Sequence, residues 1–276
     1  MSPNELILET AERIKDELGV RVLAGENARV PIGGYSFEPL EDEGRVLEGL
    51  ETLSAVLALC PEGFFRAVTG NEADRLTIEL TGKLTAESGS VVASPAAVTC
   101  SAGDSVVIAV DASFAVYPSV IVHELCHAID KRLDSLSASD GSHWNGADWA
   151  RLNPEGFSYH YAYIDENGRP YSEYGDPAYT AEDRGEIWFV NRYSTTFPTE
   201  DRAIMMEALF SNGSHMSCMR SPHIIRKLEY YFAAIRYYFD PDGTWEETEW
   251  ERRLFVNAKG TAFAVPLKQS VDYTIP

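Results

Sequence analysis

His123 and His127 stand four residues apart, with Glu124 directly after the first, in the stretch VIVHELCHAID at residues 120–130. On a helix that spacing puts both imidazoles on one face, about one turn apart. Two nitrogens so placed can ligate a single Zn²⁺ at about 2.0–2.1 Å each. Glu124 is displaced by one position, which aims its carboxylate beside such an ion and not onto it. There it can take a proton from a water and return it to a departing amine. The chemistry implied is metal-assisted hydrolysis. Val120, Ile121, Val122, Leu125, Cys126, Ala128 and Ile129 around the pair are all uncharged, as a buried helix requires. Two His and a Glu on such a helix are expensive to bury without a metal or partners.

A third ligand has to come from elsewhere. The metzincin pattern needs Gly at position 130 and His at 133, and the chain has Asp130 and Leu133. A deformylase-like upstream thiol could only be Cys100, which lacks glycine-rich surroundings. What remains is a glutamate from a downstream helix, and WFVNRYSTTFPTEDRAIMMEALF at 188–210 supplies one. Glu200 falls in its first turn after Pro198, and Glu207 lies two turns on along the same face. Acids in a first turn also complement the helix dipole without any metal. On residue types alone Glu200 and Glu207 are rivals, or ligand and supporting partner. Asp130 shares the helical face of the two His. It can orient an imidazole or pair with Lys131 or Arg132. His143, His160, His215 and His223 have no ligand spacing, and Cys126 reads as a small core residue.

The elements that must carry these groups are partly readable. Pro118 starts a helix that runs to about Arg132. The apolar run VVIAV at 106–110 before it suits a strand covered on both faces. Upstream, Leu6, Ile7, Ala11, Ile14 and Leu18 predict a helix over 3–18 stopped by Gly19, then a short strand to Ala24. A second helix is expected over 41–59. Leu76, Ile78 and Leu80 alternate with Thr77, Glu79 and Thr81, the pattern of a half-buried strand. SVVASPAAVTC is extended, and Pro95 within it fits a sheet edge. Up to about residue 135 the pattern is α/β with one sheet.

The second half is different in kind. All five Trp and all but two of the 14 Tyr lie at or beyond residue 144. They predict a core built from rings in place of aliphatic side chains, or an aromatic wall along a peptide groove. Two helices are expected there, 198–211 with a stop at Gly213, and 222–239. With no repeat and no linker, residues 1–276 read as one domain, with an upper part to about 135 and a lower part from about 136.

The 276 residues carry 23 Lys+Arg against 43 Asp+Glu, a formal charge of −20. That argues against nucleic acid or an anionic membrane as partner. No run of about 18 apolar residues suggests a membrane span. The first twenty residues have acids where a signal peptide needs a basic patch. Location stays open, secreted or cell-envelope if a leader precedes the chain. Cys60, Cys100, Cys126 and Cys218 are scattered without a CxxC pair, which leaves two disulfides or four thiols equally open.

HELCHAID, with Tyr193 seven residues ahead of Glu200 in a Y…P-x-E-D-x-A segment, resembles the gluzincin metallopeptidases. The likeness is to the compact group containing anthrax lethal factor and the Pro-Pro endopeptidases. It extends over roughly residues 50–240, and LCPEGFF at 59–65 resembles the L-x-P-x-G segment of that group. The resemblance implies a zincin-like α/β (α+β) fold, with a twisted sheet and active-site helix above a mostly helical lower part. It also implies one zinc ion held by His123, His127 and Glu200, with Glu124 as general base. Tyr193 would stabilise the oxyanion, and a peptide or protein substrate would lie along the sheet edge near residues 96–100. Two departures stand out. Ile204 occupies the place where the group often has a second acid, and an insertion at about 140–180 lengthens the gap to Glu200. Both keep Glu207 in view. Other functions on the same frame are a catalytically idle binding module, which has no use for Glu124, and a zinc amidase acting on a non-peptide or cell-wall amide.

Overall fold

The computed structural model describes residues 2–30, 32–72, 75–87, 94–138, 143–171, 187–211 and 218–259. Helix α1 (Pro3–Leu18) opens with a capping box, Ser2 and Glu5 each bonding the other's backbone N–H, and closes on Gly19 at φ 72°. Strand β1 (Arg21–Ala24) follows, then β2 (Tyr35–Phe37). Helix α2 (Glu43–Leu57) begins two residues later than the periodicity predicts, because the Asp42 side chain caps it by accepting from the Arg45 N–H. After α3 (Phe64–Thr69) come β3 (Leu76–Thr81), β4 (Leu84–Ala86), β5 (Ala97–Ala102) and β6 (Ser105–Asp111). α4 (Pro118–Ser137) follows, and the lower part consists of α5 (Gly146–Arg151), α6 (Pro198–Phe210), α7 (Pro222–Phe239) and α8 (Glu249–Lys259).

Four strands form a mixed sheet in the order β1-β3-β6-β5. β1, β3 and β6 are parallel, with Val22 beside Ile78 and Ile78 beside Ile108. β5 runs antiparallel to β6, with Thr99 opposite Ile108, and is the outermost strand on that side. The extended segment containing Pro95 therefore leads into an edge strand, as its sequence suggests. β2 and β4 pair antiparallel in a separate ribbon.

That ribbon corrects one expectation. β3 is not half-buried: Thr77, Glu79 and Thr81 are as buried as Leu76, Ile78 and Leu80. Ile32, Leu84, Val107 and Ala109 make a small second core over the face that alternation assigned to solvent. Glu79 is held within it by the Val30 N–H, which donates to its carboxylate at 2.8 Å. β6 meets both cores, Ile108 and Val110 on one face and Val107 and Ala109 on the other, as its unbroken apolar run predicts.

α4 lies between the sheet and the lower helices and is longer than the sequence suggests. It continues to Ser137 because Leu133, fully buried, extends the apolar stripe past Arg132. The aromatics of the second half do not make a core of their own. Trp144, Trp149, Tyr230 and Tyr231 join one apolar cluster that runs from Ile7 of α1 to Leu254 of α8. None of the four cysteines is in a disulfide. Among the described residues no helix is long and apolar enough to cross a membrane.

Candidate active site

α4 and α6 pack against each other and bring their functional side chains together. His123 and His127 sit one turn apart on α4, with ring centroids 5.0 Å apart. Glu200, in the first turn of α6, points between them. Its Oε2 lies 3.3 Å from His123 Nε2 and 3.6 Å from His127 Nε2. Among the described residues no hydrogen bond reaches that oxygen, although Glu200 is buried. Ligand atoms of all three residues fall within 4.8 Å of one another. A tetrahedral zinc with bonds of about 2.0–2.1 Å spaces its donors roughly 3.3 Å apart. Two imidazoles and one carboxylate are also the donor types zinc takes. The residues present therefore fit the ion.

Glu207 stands behind this group. Its Oε2 accepts from His123 Nδ1 at 3.0 Å, which leaves Nε2 to face Glu200. Position 204 is an isoleucine, but two turns of helix return Glu207 to the same face, so the acid is present seven residues after Glu200. Burial alone would pull His123 down. The carboxylates of Glu200, Glu207 and Glu124 outweigh it and push the imidazole up to about 10. Three carboxylates around one imidazole favour positive charge on its ring.

Glu124 turns the other way, toward the sheet. The Thr99 hydroxyl on β5 donates to its Oε2 at 2.5 Å, tying the carboxylate to the edge strand. Three phenols share this space. Tyr193, in the single 3-10 turn before α6, stacks at 5.9 Å on Tyr163, and no hydrogen bond holds its hydroxyl among the described residues. Burial and the charge of Glu200 raise it far above the ordinary tyrosine value, so it remains a proton donor at neutral pH. Tyr163 donates to Glu200 Oε1 at 3.1 Å. Tyr35 of β2 is raised by burial and by the nearby Cys100 and Glu124.

Asp130 neither pairs with Lys131 or Arg132 nor bonds an imidazole. It accepts from Arg202 Nε on α6 at 2.8 and 2.9 Å, fully buried. Lys131 donates instead to the Gly103 and Ser105 carbonyls, and Arg132 to that of Ala67. The reason is burial, since Asp130 faces α6 while its neighbours point to the sheet and to α3. Next along α6, Asp201 meets Lys227 of α7 at 2.8 Å with both side chains inaccessible. The first turn of α6 is thus anchored on both sides of its glutamate.

The remaining described histidines stack on rings away from the group: His143 on Tyr237, His160 on Tyr171 and His223 on Trp188. His215, the helix stop at Gly213 and residues 140–142 and 172–180 of the insertion lie outside the described residues. No local pattern of residues points to Thr99 or Arg202. Tyr163 was one tyrosine among several, although Asp165-Glu-Asn-Gly168 just after it is a readable turn.

No family model matches the sequence. No curated protein matches it. Among solved structures, a Bacteroides caccae protein described as a "putative zinc-binding metallo-peptidase" aligns over 93% of this chain and 91% of its own. The TM-score is 0.51 and the sequence identity 12%. The two share a fold. It is the mixed α/β arrangement expected from the sequence, and the likeness is one of architecture at an identity where few side chains correspond.

Proposed function

We propose that this protein is a zinc-dependent peptidase of the gluzincin kind, built on the plan of the compact lethal factor and Pro-Pro endopeptidase group. The observation that carries the reading is Glu200 Oε2, a buried and unbonded carboxylate oxygen facing two imidazole nitrogens at 3.3 and 3.6 Å. His123, His127 and Glu200 hold the ion. When bound, zinc supplies Lewis acidity and brings the pKa of a water to about 7.

Glu124 accepts the proton of the attacking water, then passes it to the amine that leaves. Thr99 keeps the carboxylate pointed at that exchange. Tyr193, with an uncommitted hydroxyl, donates to the carbonyl oxygen as negative charge gathers on it, a bond worth most in the transition state. Glu207 fixes the His123 tautomer through Nδ1. An extended peptide fits the outer edge of β5, which has no strand partner there among the described residues and carries Thr99 beside the base. A carboxylate held in place as Glu124 is would serve no purpose in an idle module.

The test is elemental analysis of purified protein together with two variants. Glu124→Gln is expected to keep one zinc per chain and lose about 10²–10⁴-fold in kcat. Glu200→Ala is expected to lose the zinc itself. Zinc-loaded protein that cleaves neither a peptide library nor wall fragments would overturn the reading in favour of a binding module. Cleavage of wall fragments alone would favour an amidase.

A further inference from the structure

The aromatic insertion has no role assigned so far, yet it delivers one hydroxyl to the centre of the site. Residues 160–171 fold back on themselves around the turn at Asp165, whose side chain accepts from the Asn167 and Arg169 N–H groups. Ile164 bridges Pro170, and the Tyr171 N–H donates to the Tyr163 carbonyl at 2.8 Å. This loop is fastened to the run-in of α6. The His160 and Tyr161 N–H groups donate to the carbonyls of Thr195 and Thr196, at 3.1 and 2.8 Å. The Tyr163 ring lies 4.6 Å from that of Phe197, the residue that precedes α6. Loop and helix start are therefore one assembly, and the Tyr163 hydroxyl reaches Glu200 Oε1 at 3.1 Å.

A carboxylate free to rotate could present either oxygen, or both, to a metal. With Oε1 engaged by the phenol, Oε2 is the oxygen turned to His123 and His127, and it is the unbonded one. The same hydrogen bond compensates half of the buried carboxylate inside the chain and leaves the other half for a cation. We infer that Tyr163 is a positioning residue for the metal: its hydroxyl locks Glu200 so that Oε2 alone completes the donor set. This inference rests on the zinc-site reading above. It gives the insertion a function distinct from that of Tyr193, whose hydroxyl is uncommitted.

Tyr163→Phe keeps the ring contacts with Phe197 and Tyr193 and removes only the hydroxyl. Zinc dissociation constants, measured by competition with a chelator of known affinity, should weaken on the order of tenfold or more relative to wild type. The melting temperature of the metal-free protein should fall by no more than a few degrees, as the loss of one hydrogen bond to a buried carboxylate entails. At saturating zinc, Tyr163→Phe should recover most of the wild-type kcat. Tyr193→Phe should bind zinc as wild type does and stay slow at any zinc concentration. Tyr163→Phe with wild-type zinc affinity overturns the inference while leaving the zinc site standing. A kcat that stays low at saturating zinc overturns it too, because Tyr163 would then act on the reaction and not on the ion. Wild-type protein that takes up no zinc sinks the site reading and this inference together.

Discussion

Glu200, Asp201 and Arg202 are consecutive on α6 and all buried, yet their surroundings are opposite in kind. On the rear side, charges are met within the chain. Arg202 grips Asp130 through both carboxylate oxygens and lies 4.8 and 4.9 Å over the rings of Trp144 and Trp149. Asp201 leaves one oxygen unpaired, but Lys227 and the Tyr159 hydroxyl meet the other at 2.8 and 2.7 Å. On the cleft side, Glu200, Glu207 and Glu124 surround two imidazoles, and among the described residues no Lys or Arg bonds any of the three. Buried charge is tolerated where it is paired, and unpaired buried charge has to be met from outside. The rear charges close on one another, whereas the front is left with negative charge that the proposed zinc would meet.

The sharpest way to break that contrast is to remove one member of the rear pair. Asp130→Ala leaves Arg202 charged and buried between two indoles. The metal-free protein should lose about 3–5 kcal/mol of stability in urea denaturation. Glu200→Ala in the same assay should cost less, because one oxygen of that carboxylate has no hydrogen bond to lose. A comparable loss from both would mean that front and rear are alike, and the distinction would fall.

On the cleft side the next effect is expected at the metal and not in stability. Glu207 bonds His123 Nδ1 and is about a third exposed, so its loss leaves little buried surface behind. Glu207→Ala should weaken zinc by about 10–100-fold, read by chelator competition, with unchanged melting of the metal-free chain. If zinc were lost outright, Glu207 would be a ligand and Glu200 the supporting acid.

These contrasts also explain what could be read beforehand. HExxH is a local pattern on one helix, and the apolar runs of α4 and β6 declare their burial without help from the rest of the chain. Glu79 was misread because the cover on its face comes from β2 and β4, elements of three residues too short to show periodicity. Asp130 and Arg202 meet across 72 positions of sequence, and nothing near either residue names the other. Tyr163 stands in a row with Tyr159 and Tyr161, and only the fold separates them. Tyr159 bonds Asp201 on the rear, Tyr161 faces solvent, and Tyr163 bonds Glu200 in the cleft.

Thr99 offers the smallest and most selective test. Thr99→Val preserves β-branching and hence strand geometry, and the main-chain edge of β5 stays available for pairing. What is lost is the hydroxyl that donates to Glu124 Oε2 and, more weakly at 3.3 Å, to the Glu124 carbonyl. One net hydrogen bond is worth about 0.5–1.5 kcal/mol, so kcat should fall roughly threefold to tenfold, with zinc content and KM unchanged. Thr99→Ser should restore the rate. The split between the two constants decides what the strand does. A rise in KM at constant kcat would mean that Thr99 serves substrate docking. The predicted fall in kcat would mean that the sheet edge reaches into the chemistry by holding the base, so that cleft and sheet act as one device while the rear of α6 only carries it.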